Sequence, residues 1–432
     1  MFYATCYMKI LFLNYEYPPL GGGAGNATSY LLKEFAKISD LEVELITSSI
    51  DKQYHLEKVG ENILIHRLPI GKNQKNLHFQ SQKDLIIYFC KAYWFSQKIL
   101  KESTSPHQCH DKNNDSNNIK QNNNTNGLHW CRGKFDMTLA FFSVPCGFLA
   151  WILKKQFKVP YVVSLRGADV PGFSERFTWL YKIISPLIKK IWKESACVIA
   201  ASQGLKDLAL KTSPLQKMEI IPNGIDTRQF RPSLIQIEVR PRLEVGPRLN
   251  RLDIFQILCV TRITPRKNIR YLIEAVNQLC KKYTNLNLQI VGEGDEKGNL
   301  EKLAKELGIE KQINFAGLIP HEKLPAYYQS ACVYVLPSQN EGMSNSMLEA
   351  LSSGLPLLAT DTGGTKELVE DGVNGFIIKM KNSEDIAEKL EILIKDEELR
   401  KKMGQKSREK AEGMNWESVA QKYVSMINDV SS

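Results

Sequence analysis

Two glutamates flanking a short, partly apolar stretch carry the strongest chemical signal in the chain. The segment Glu341-Gly-Met-Ser-Asn-Ser-Met-Leu-Glu349 follows the apolar run Val333–Pro337 and leads into a helix-like stretch. A strand, a glycine-containing turn and a helix start present unpaired backbone N–H groups to an anion. On a helix this spacing corresponds to a rise of about 12 Å, so Glu341 and Glu349 do not form a close catalytic pair. They suit two separated parts of one elongated ligand, such as the sugar and the ribose of a nucleotide sugar. Two plainer readings stand beside this one: Glu349 can close a capping box with Ser346, and Glu341 can be a solvated loop residue.

Cations follow another apolar run, in Val260-Thr-Arg262-Ile-Thr-Pro-Arg-Lys267. At a strand's carboxyl end an Arg, as a planar fork, and a Lys, as a compact point charge, can neutralise a diphosphate; surface charge is the alternative for Lys267. Near the N-terminus, Pro18-Pro-Leu-Gly21-Gly22-Gly23-Ala-Gly25 lets backbone approach a ligand closely. Asn26 stands where the last glycine of GxGxxG belongs, which weakens a dinucleotide-cofactor reading and leaves a tight turn as the alternative. Ser164-Leu-Arg166-Gly-Ala-Asp169 adds a permanent cation, or an Arg–Asp surface pair of little energetic consequence.

These segments need strands to position them. Lys9–Asn14 is a continuous apolar run bounded by a Pro/Gly cluster, as in a strand buried on both faces of a parallel sheet. Asn26–Ile38 has helical spacing and Val43–Thr47 reads as the next strand. Apolar runs recur at Asp136–Phe141, Tyr161–Leu165 and Cys197–Ala201. A second series comprises Phe255–Val260, Leu288–Gly292, Ile313–Ala316, Val333–Leu336 and Pro356–Ala359. Two alternating series predict an α/β chain with two Rossmann-like domains facing each other across a ligand cleft. The predicted boundaries are 1–225, a linker at 226–252, 253–412, and a C-terminal helix at 413–432 returning to the first domain.

The chain has 432 residues, 43% hydrophobic and 24% charged, enough for two cores. Its net charge of +10 admits nucleic acid, an anionic membrane or an anionic small molecule as partner. No nucleic-acid-binding signature accompanies it, so no nucleic-acid partner is expected. Nine cysteines without a CxxC pair suggest reduced thiols in the cytoplasm. No signal peptide or bilayer-spanning segment is evident. An Asn-rich insertion at about 103–130 reads as disordered. The nearby His107, Cys109, His110, His129 and Cys131 fit no zinc spacing, so no metal site is expected. Phe173–Ser195 mixes aromatic and basic residues: it can lie on an anionic leaflet at the inner face of the membrane, or pack on the core with its lysines in water.

Taken in order, IPNGID, VTRITPRKNI, VGEGDEKGNL, INFAGLI, YVLPSQNEGMSNSMLEALSSGLPLLATDTGGTKELV and DGVNGF resemble the glycogen-synthase-like, family 4 retaining glycosyltransferases of GT-B fold. The resemblance covers nearly the whole chain outside the insertion. It implies an N-terminal acceptor domain, a C-terminal nucleotide-sugar domain, and a hexose or N-acetylhexosamine transferred from a UDP-sugar, with a GDP-sugar next, to a lipid-linked or polysaccharide acceptor. By this likeness Glu341 contacts sugar hydroxyls, and amides of Gly342, Met343, Ser344 and Asn345 meet sugar and phosphate. Arg262 and Lys267 stabilise the leaving diphosphate, helped by amides near Gly22 and Gly23. Glu349 binds ribose, while Glu293, Gly294 and Leu318 lie by the base. The family commonly has His where Arg166 stands; Arg binds charge but carries no proton at neutral pH. The resemblance also implies no metal and no cofactor, in keeping with the absence of an Asp-x-Asp pair. An epimerase, a phosphorylase or a non-catalytic nucleotide-sugar binder would share the architecture.

Overall fold

The computed structural model describes residues 8–72, 80–104, 134–173, 178–233 and 254–431. The insertion core, the His and Cys residues in and beside it and most of the linker lie outside these.

The first sheet contains β1 (Met8–Leu13), β2 (Leu41–Ser49), β3 (His55–Val59), β4 (Ile63–Pro69), β5 (Met137–Phe141), β6 (Tyr161–Leu165), β7 (Cys197–Ala200) and β8 (Glu219–Ile220). Their order is β3-β4-β2-β1-β5-β6-β7-β8, parallel except for the antiparallel β3–β4 pair. β1, β5 and β6 are buried along their whole length, which is why they read as continuous apolar runs. The one charge in β1, Lys9, is only 4% exposed and is neutralised by Glu44 at 2.8 Å and Glu42 at 3.5 Å.

The second sheet contains β9 (Phe255–Val260), β10 (Leu286–Val291), β11 (Ile313–Gly317), β12 (Val333–Leu336), β13 (Leu357–Thr360) and β14 (Gly375–Ile378). Its order is β11-β10-β9-β12-β13-β14, with every pair parallel.

In each sheet the winding direction reverses once, between β1 and β5 and between β9 and β12. A crevice opens outside the carboxyl ends of the strands at such a reversal. The glycine-rich loop leaves β1, the Arg262–Lys267 loop leaves β9 and the Glu341 loop leaves β12. Both reversals therefore carry the residues singled out in the sequence.

The helix Trp416–Ser431 places Trp416, Val419, Ala420, Tyr423 and Ile427 in the core of the first sheet. The Tyr423 hydroxyl bonds the Ser164 hydroxyl at 2.9 Å. The helix Thr178–Glu194 runs through Pro186 and buries Ile188, Ile191 and Trp192, while Lys182, Lys189, Lys190 and Lys193 stay in water. Of the two readings of this segment, core packing describes its apolar face.

Candidate functional site

The loop after β9 is held by backbone bonds to its neighbours, Thr261 N to Val291 O at 2.9 Å and Ile263 N to Glu293 O at 2.9 Å. The approach is so close that a methyl group at Gly294 would stand 1.9 Å from the Ile263 carbonyl oxygen, leaving room only for glycine. Thr264–Asn268 then turns tightly and brings Lys267 inward, 8% exposed. Its ammonium is ion-paired with the Glu341 carboxylate of the neighbouring β12 loop. Lys267 is thus not a surface charge, and Glu341 is not a solvated loop residue; their side chains are 10% and 15% exposed.

Glu349 lies in the helix Asn345–Ser352 and is 6% exposed. The N-cap of that helix is Ser344, whose hydroxyl accepts from Met347 N at 3.4 Å, so Ser346 and Glu349 make no capping box. Glu349 Oε2 instead accepts from the Tyr328 hydroxyl at 2.6 Å, and Oε1 lies 3.1 Å from His321 Nε2. Neither Tyr328 nor His321 was singled out in the sequence, because HEKLPAYY reads as an ordinary polar helix start.

The two halves meet through these loops. A methyl group at Gly22 would stand 3.5 Å from Arg262 Nη2. Asn345 Nδ2 donates to Gly23 O at 3.3 Å, and Asn223 Nδ2 donates to Asn345 Oδ1 at 2.8 Å. Arg166 Nη1 donates to Asn223 Oδ1 at 2.8 Å and Nη2 to the Tyr423 hydroxyl at 3.0 Å, with the guanidinium 3.5 Å from the Phe141 ring centre. Gly342 sits against the Arg166 carbonyl and Gly167. One network therefore joins Arg166, Asn223, Asn345 and the glycine loop; Asn223 lies inside the IPNGID segment and was not among the candidate site residues.

The alternative reading, an Arg166–Asp169 surface pair, is not what the structure shows, since the two side chains form no ion pair. Asp169 accepts from the backbone N–H of Arg166 and of Ser143, at 2.9 and 2.8 Å. Burial raises the Asp169 carboxyl above its usual range, against those hydrogen bonds, and lowers the Arg166 guanidinium. Arg166 Nε has no hydrogen-bond partner; the guanidinium bonds only the neutral Asn223 and Tyr423, while the charge of Asp169 acts on it without a side-chain bond.

Arg262 reaches the surface of the cleft. Desolvation, then the neighbouring Arg266, lower its pKa from the ordinary value, while Glu16 acts in the opposite sense. The Glu16 carboxylate also accepts from Gly22 N at 3.3 Å. The glycine-loop amide already binds an anionic group, and a cation stands across from it.

Glu293, Gly294 and Leu318 lie along the neighbouring loops after β10 and β11. Glu293 pairs with Lys297 at 3.0 Å and Leu318 is 59% exposed, an apolar surface beside the strand ends. Among the described residues no cluster of His, Cys, Asp or Glu could hold a metal ion, and no helix is long and apolar enough to cross a membrane. The described cysteines are free thiols; burial pushes Cys146 and Cys259 up to about 12, which leaves them inert at neutral pH.

Residues 248–410 match the family model described as "Glycosyl transferases group 1", and residues 125–229 match "Glycosyltransferase Family 4". An uncharacterized glycosyltransferase of Haemophilus influenzae is 37% identical over 42% of this chain and 51% of its own length. A GDP-mannose-dependent alpha-(1-6)-phosphatidylinositol monomannoside mannosyltransferase of Mycobacterium tuberculosis is 28% identical over 50% of this chain and 56% of its own. These matches span about half the length of each relative. Sucrose-phosphate synthase from Thermosynechococcus elongatus shares the fold, with a TM-score of 0.77 at 20% identity over 98% of this chain and 99% of that one.

Proposed function

The chain belongs to the family 4, group 1 glycosyltransferases with two facing Rossmann-like domains, and from that premise we propose that it is a retaining, metal-independent transferase of a hexose or N-acetylhexosamine. The donor is a nucleoside diphosphate sugar and the acceptor a lipid-linked or polysaccharide glycan. One observation carries this reading: the Lys267–Glu341 pair and the Arg262–Gly22 contact converge from three strand ends on one interdomain seam.

The chemistry follows from the charges. As the donor's anomeric bond breaks, negative charge grows on the departing diphosphate. Arg262 and Lys267 are fixed cations for that charge, and fixed charges need no reorganisation when it appears. The Gly22 amide, now bonded to Glu16, supplies a donor to the same phosphates. Arg166, bonded to Asn223 and Tyr423, adds positive potential on the acceptor side without moving a proton. Glu341, oriented by Lys267, accepts from sugar hydroxyls, and amides of Gly342–Asn345 lie at a helix start suited to phosphate. Glu349 takes the ribose, with the base beside Glu293, Gly294 and Leu318. The acceptor hydroxyl attacks from the face the diphosphate leaves, and a phosphate oxygen takes its proton, so configuration is retained.

The base is the open choice. The family resemblance favours UDP over GDP, whereas the mycobacterial relative is GDP-mannose-dependent by name. A thermal-shift panel of UDP-, GDP- and ADP-sugars decides it, because a ligand bound only to the folded state stabilises that state, by about 2.7 kcal/mol at a hundredfold excess over Kd, and so raises Tm. Incubation with the stabilising donor, labelled in its sugar, and glycan acceptors is expected to give glycosylated product; an isomerised sugar or unreacted donor defeats the transferase reading.

We place the reaction at the cytoplasmic face of an anionic membrane. The helices Gln82–Thr104, Phe148–Phe157 and Thr178–Glu194 pack side by side. Their outer surface carries Lys91, Lys98, Lys182, Lys189 and Lys193 with exposed Ile86, Trp94 and Ile183. Each basic residue at an anionic leaflet contributes about 1 kcal/mol, and exposed aromatics anchor in the interface. The protein is expected to float with anionic liposomes at low salt and not with zwitterionic ones. Reversing Lys189 and Lys193 to Glu should weaken flotation more than tenfold; protein remaining wholly in the soluble fraction contradicts this location.

A further inference from the structure

His321 lies outside every motif that carries the family resemblance, yet it is built into the only carboxylate of the helix Asn345–Ser352. Its Nε2 stands 3.1 Å from Glu349 Oε1, while the buried Tyr328 hydroxyl donates to Oε2 at 2.6 Å. On its other side, His321 Nδ1 lies 3.5 Å from Gln229 Nε2, and Gln229 Oε1 accepts from the Tyr30 hydroxyl at 2.9 Å. The ring packs edge-on against Phe230 with centres 5.2 Å apart. Tyr30 in turn stacks on Trp416 at 5.5 Å. His321 is thus fixed on both nitrogens and one face, by residues from both halves of the molecule.

An ionised carboxylate has about four lone-pair directions. His321 and Tyr328 take one on each oxygen, so one remains on each, and Glu349 lines a narrow interdomain pocket with Asn26, Tyr30, Phe230, His321 and Trp416. Two acceptors held a carboxylate's width apart match the two hydroxyls of a vicinal diol. A carboxylate free to rotate about its terminal torsion would present that pair only part of the time.

We propose that His321 is a positioning residue for the donor's ribose, which sets the plane of Glu349 so that both of its oxygens face the 2′ and 3′ hydroxyls. This rests on the assignment of Glu349 to the ribose. His321 does not touch the nucleotide; it acts through Glu349.

The electrostatics give the role a signature. Burial lowers the His321 pKa, but the hydrogen bond and charge of Glu349, with Glu322 beyond, outweigh it and raise it above the ordinary value; Lys33 opposes them. Of the other titratable groups facing this cluster, Tyr30 and Tyr328 stay neutral, since burial raises both. As pH falls below the His321 pKa the pair becomes charge-assisted and Glu349 is held more firmly, while Nδ1, now a donor, gives up the bond it accepts from Gln229 Nε2. As pH rises through it, the ring keeps Nε2–H but loses its charge, so ribose binding weakens toward alkaline pH.

The test is calorimetric binding of UDP and GDP, each beside its 2′-deoxy form, to the full chain carrying His321→Ala or His321→Gln. The wild type is expected to prefer the ribonucleotide at least tenfold. His321→Ala should lose about tenfold in ribonucleotide affinity and little in deoxynucleotide affinity, bringing the ratio toward one. His321→Gln, whose amide N–H can reach Glu349 as Nε2–H does, should restore most of the ratio and remove its dependence on pH. In donor kinetics the Ala variant should raise KM with kcat nearly unchanged. A folded His321→Ala protein that keeps the wild-type ratio overturns the inference while leaving the ribose assignment intact. A wild type indifferent to the 2′ hydroxyl overturns the ribose assignment and this inference together.

Discussion

Glu341→Ala is expected to lower kcat by about a hundredfold to a thousandfold, a loss of roughly 2.7–4 kcal/mol of transition-state stabilisation, while UDP or GDP binding changes less than about threefold. The asymmetry follows from where Glu341 sits. It is paired with Lys267 at the reversal between β9 and β12, and the proposed function gives it the transferred sugar and gives Glu349 the ribose. A group that touches only the transferred sugar acts on turnover more than on nucleotide affinity. Truncation also leaves the Lys267 ammonium without its anion in a nearly closed site, and breaking a buried pair costs about 3–5 kcal/mol. The Ala variant should therefore melt lower with or without bound nucleotide, because nearly equal affinities stabilise the two proteins nearly equally. Glu341→Gln keeps an acceptor for Lys267 and should fold closer to wild type, yet remain deficient in transfer. Steady-state kinetics, calorimetry and melting of the two variants separate these effects. Full turnover by a folded Ala variant would remove Glu341 from the mechanism.

Why the sequence revealed Glu341 and Lys267 but not their pairing has a physical answer. Strands buried on both faces leave continuous apolar runs, so β1, β6, β9 and β12 were legible within a residue or so. The hairpin β3–β4 was not. β3 is largely exposed at the sheet edge, and β4 interrupts its apolar run with His66 and Arg67, whose burial depends on Glu44 at 3.1 Å and Glu57 at 2.6 Å in other strands. β14 is a four-residue strand beginning at a glycine, too short to show a period. The site divides in the same way. Loops that follow apolar strands could be recognised in sequence, since that position is where α/β sheets bind ligands. Which loops meet depends on strand order, and β9 and β12 are neighbours only because the winding reverses between them. Lys267 and Glu341 are thereby brought together from 74 residues apart. His321 and Tyr328 reach Glu349 through a loop and helix that carry no glycine cluster and no strand signal of their own.

Arg262→Ala is expected to damage both binding and turnover, the opposite pattern to Glu341→Ala. Arg262 faces the glycine loop across the seam, and the charges acting on it are another cation, Arg266, and the opposing carboxylate of Glu16. A diphosphate entering there meets the guanidinium before and after the anomeric bond breaks, so the interaction contributes to ground-state affinity and grows as charge develops. Nucleoside diphosphate affinity should fall at least about tenfold, or 1.4 kcal/mol, and kcat/KM by about a hundredfold to a thousandfold. Arg262→Lys restores a positive charge but not the planar fork, and should recover long-range attraction more than turnover. Melting should change little, because Arg262 lies at the cleft surface and relief of its repulsion from Arg266 offsets the lost attraction to Glu16; exposed substitutions of this kind usually stay within about 0.5 kcal/mol. Glu16 provides an internal control. Its carboxylate occupies the Gly22 amide that a phosphate would use, so Glu16→Gln should tighten diphosphate binding in the wild type and do much less once Arg262 is gone, since the electrostatic competition needs both charges. Unchanged diphosphate affinity and unchanged kcat/KM in Arg262→Ala would place the leaving group elsewhere than between the β1 and β9 loops.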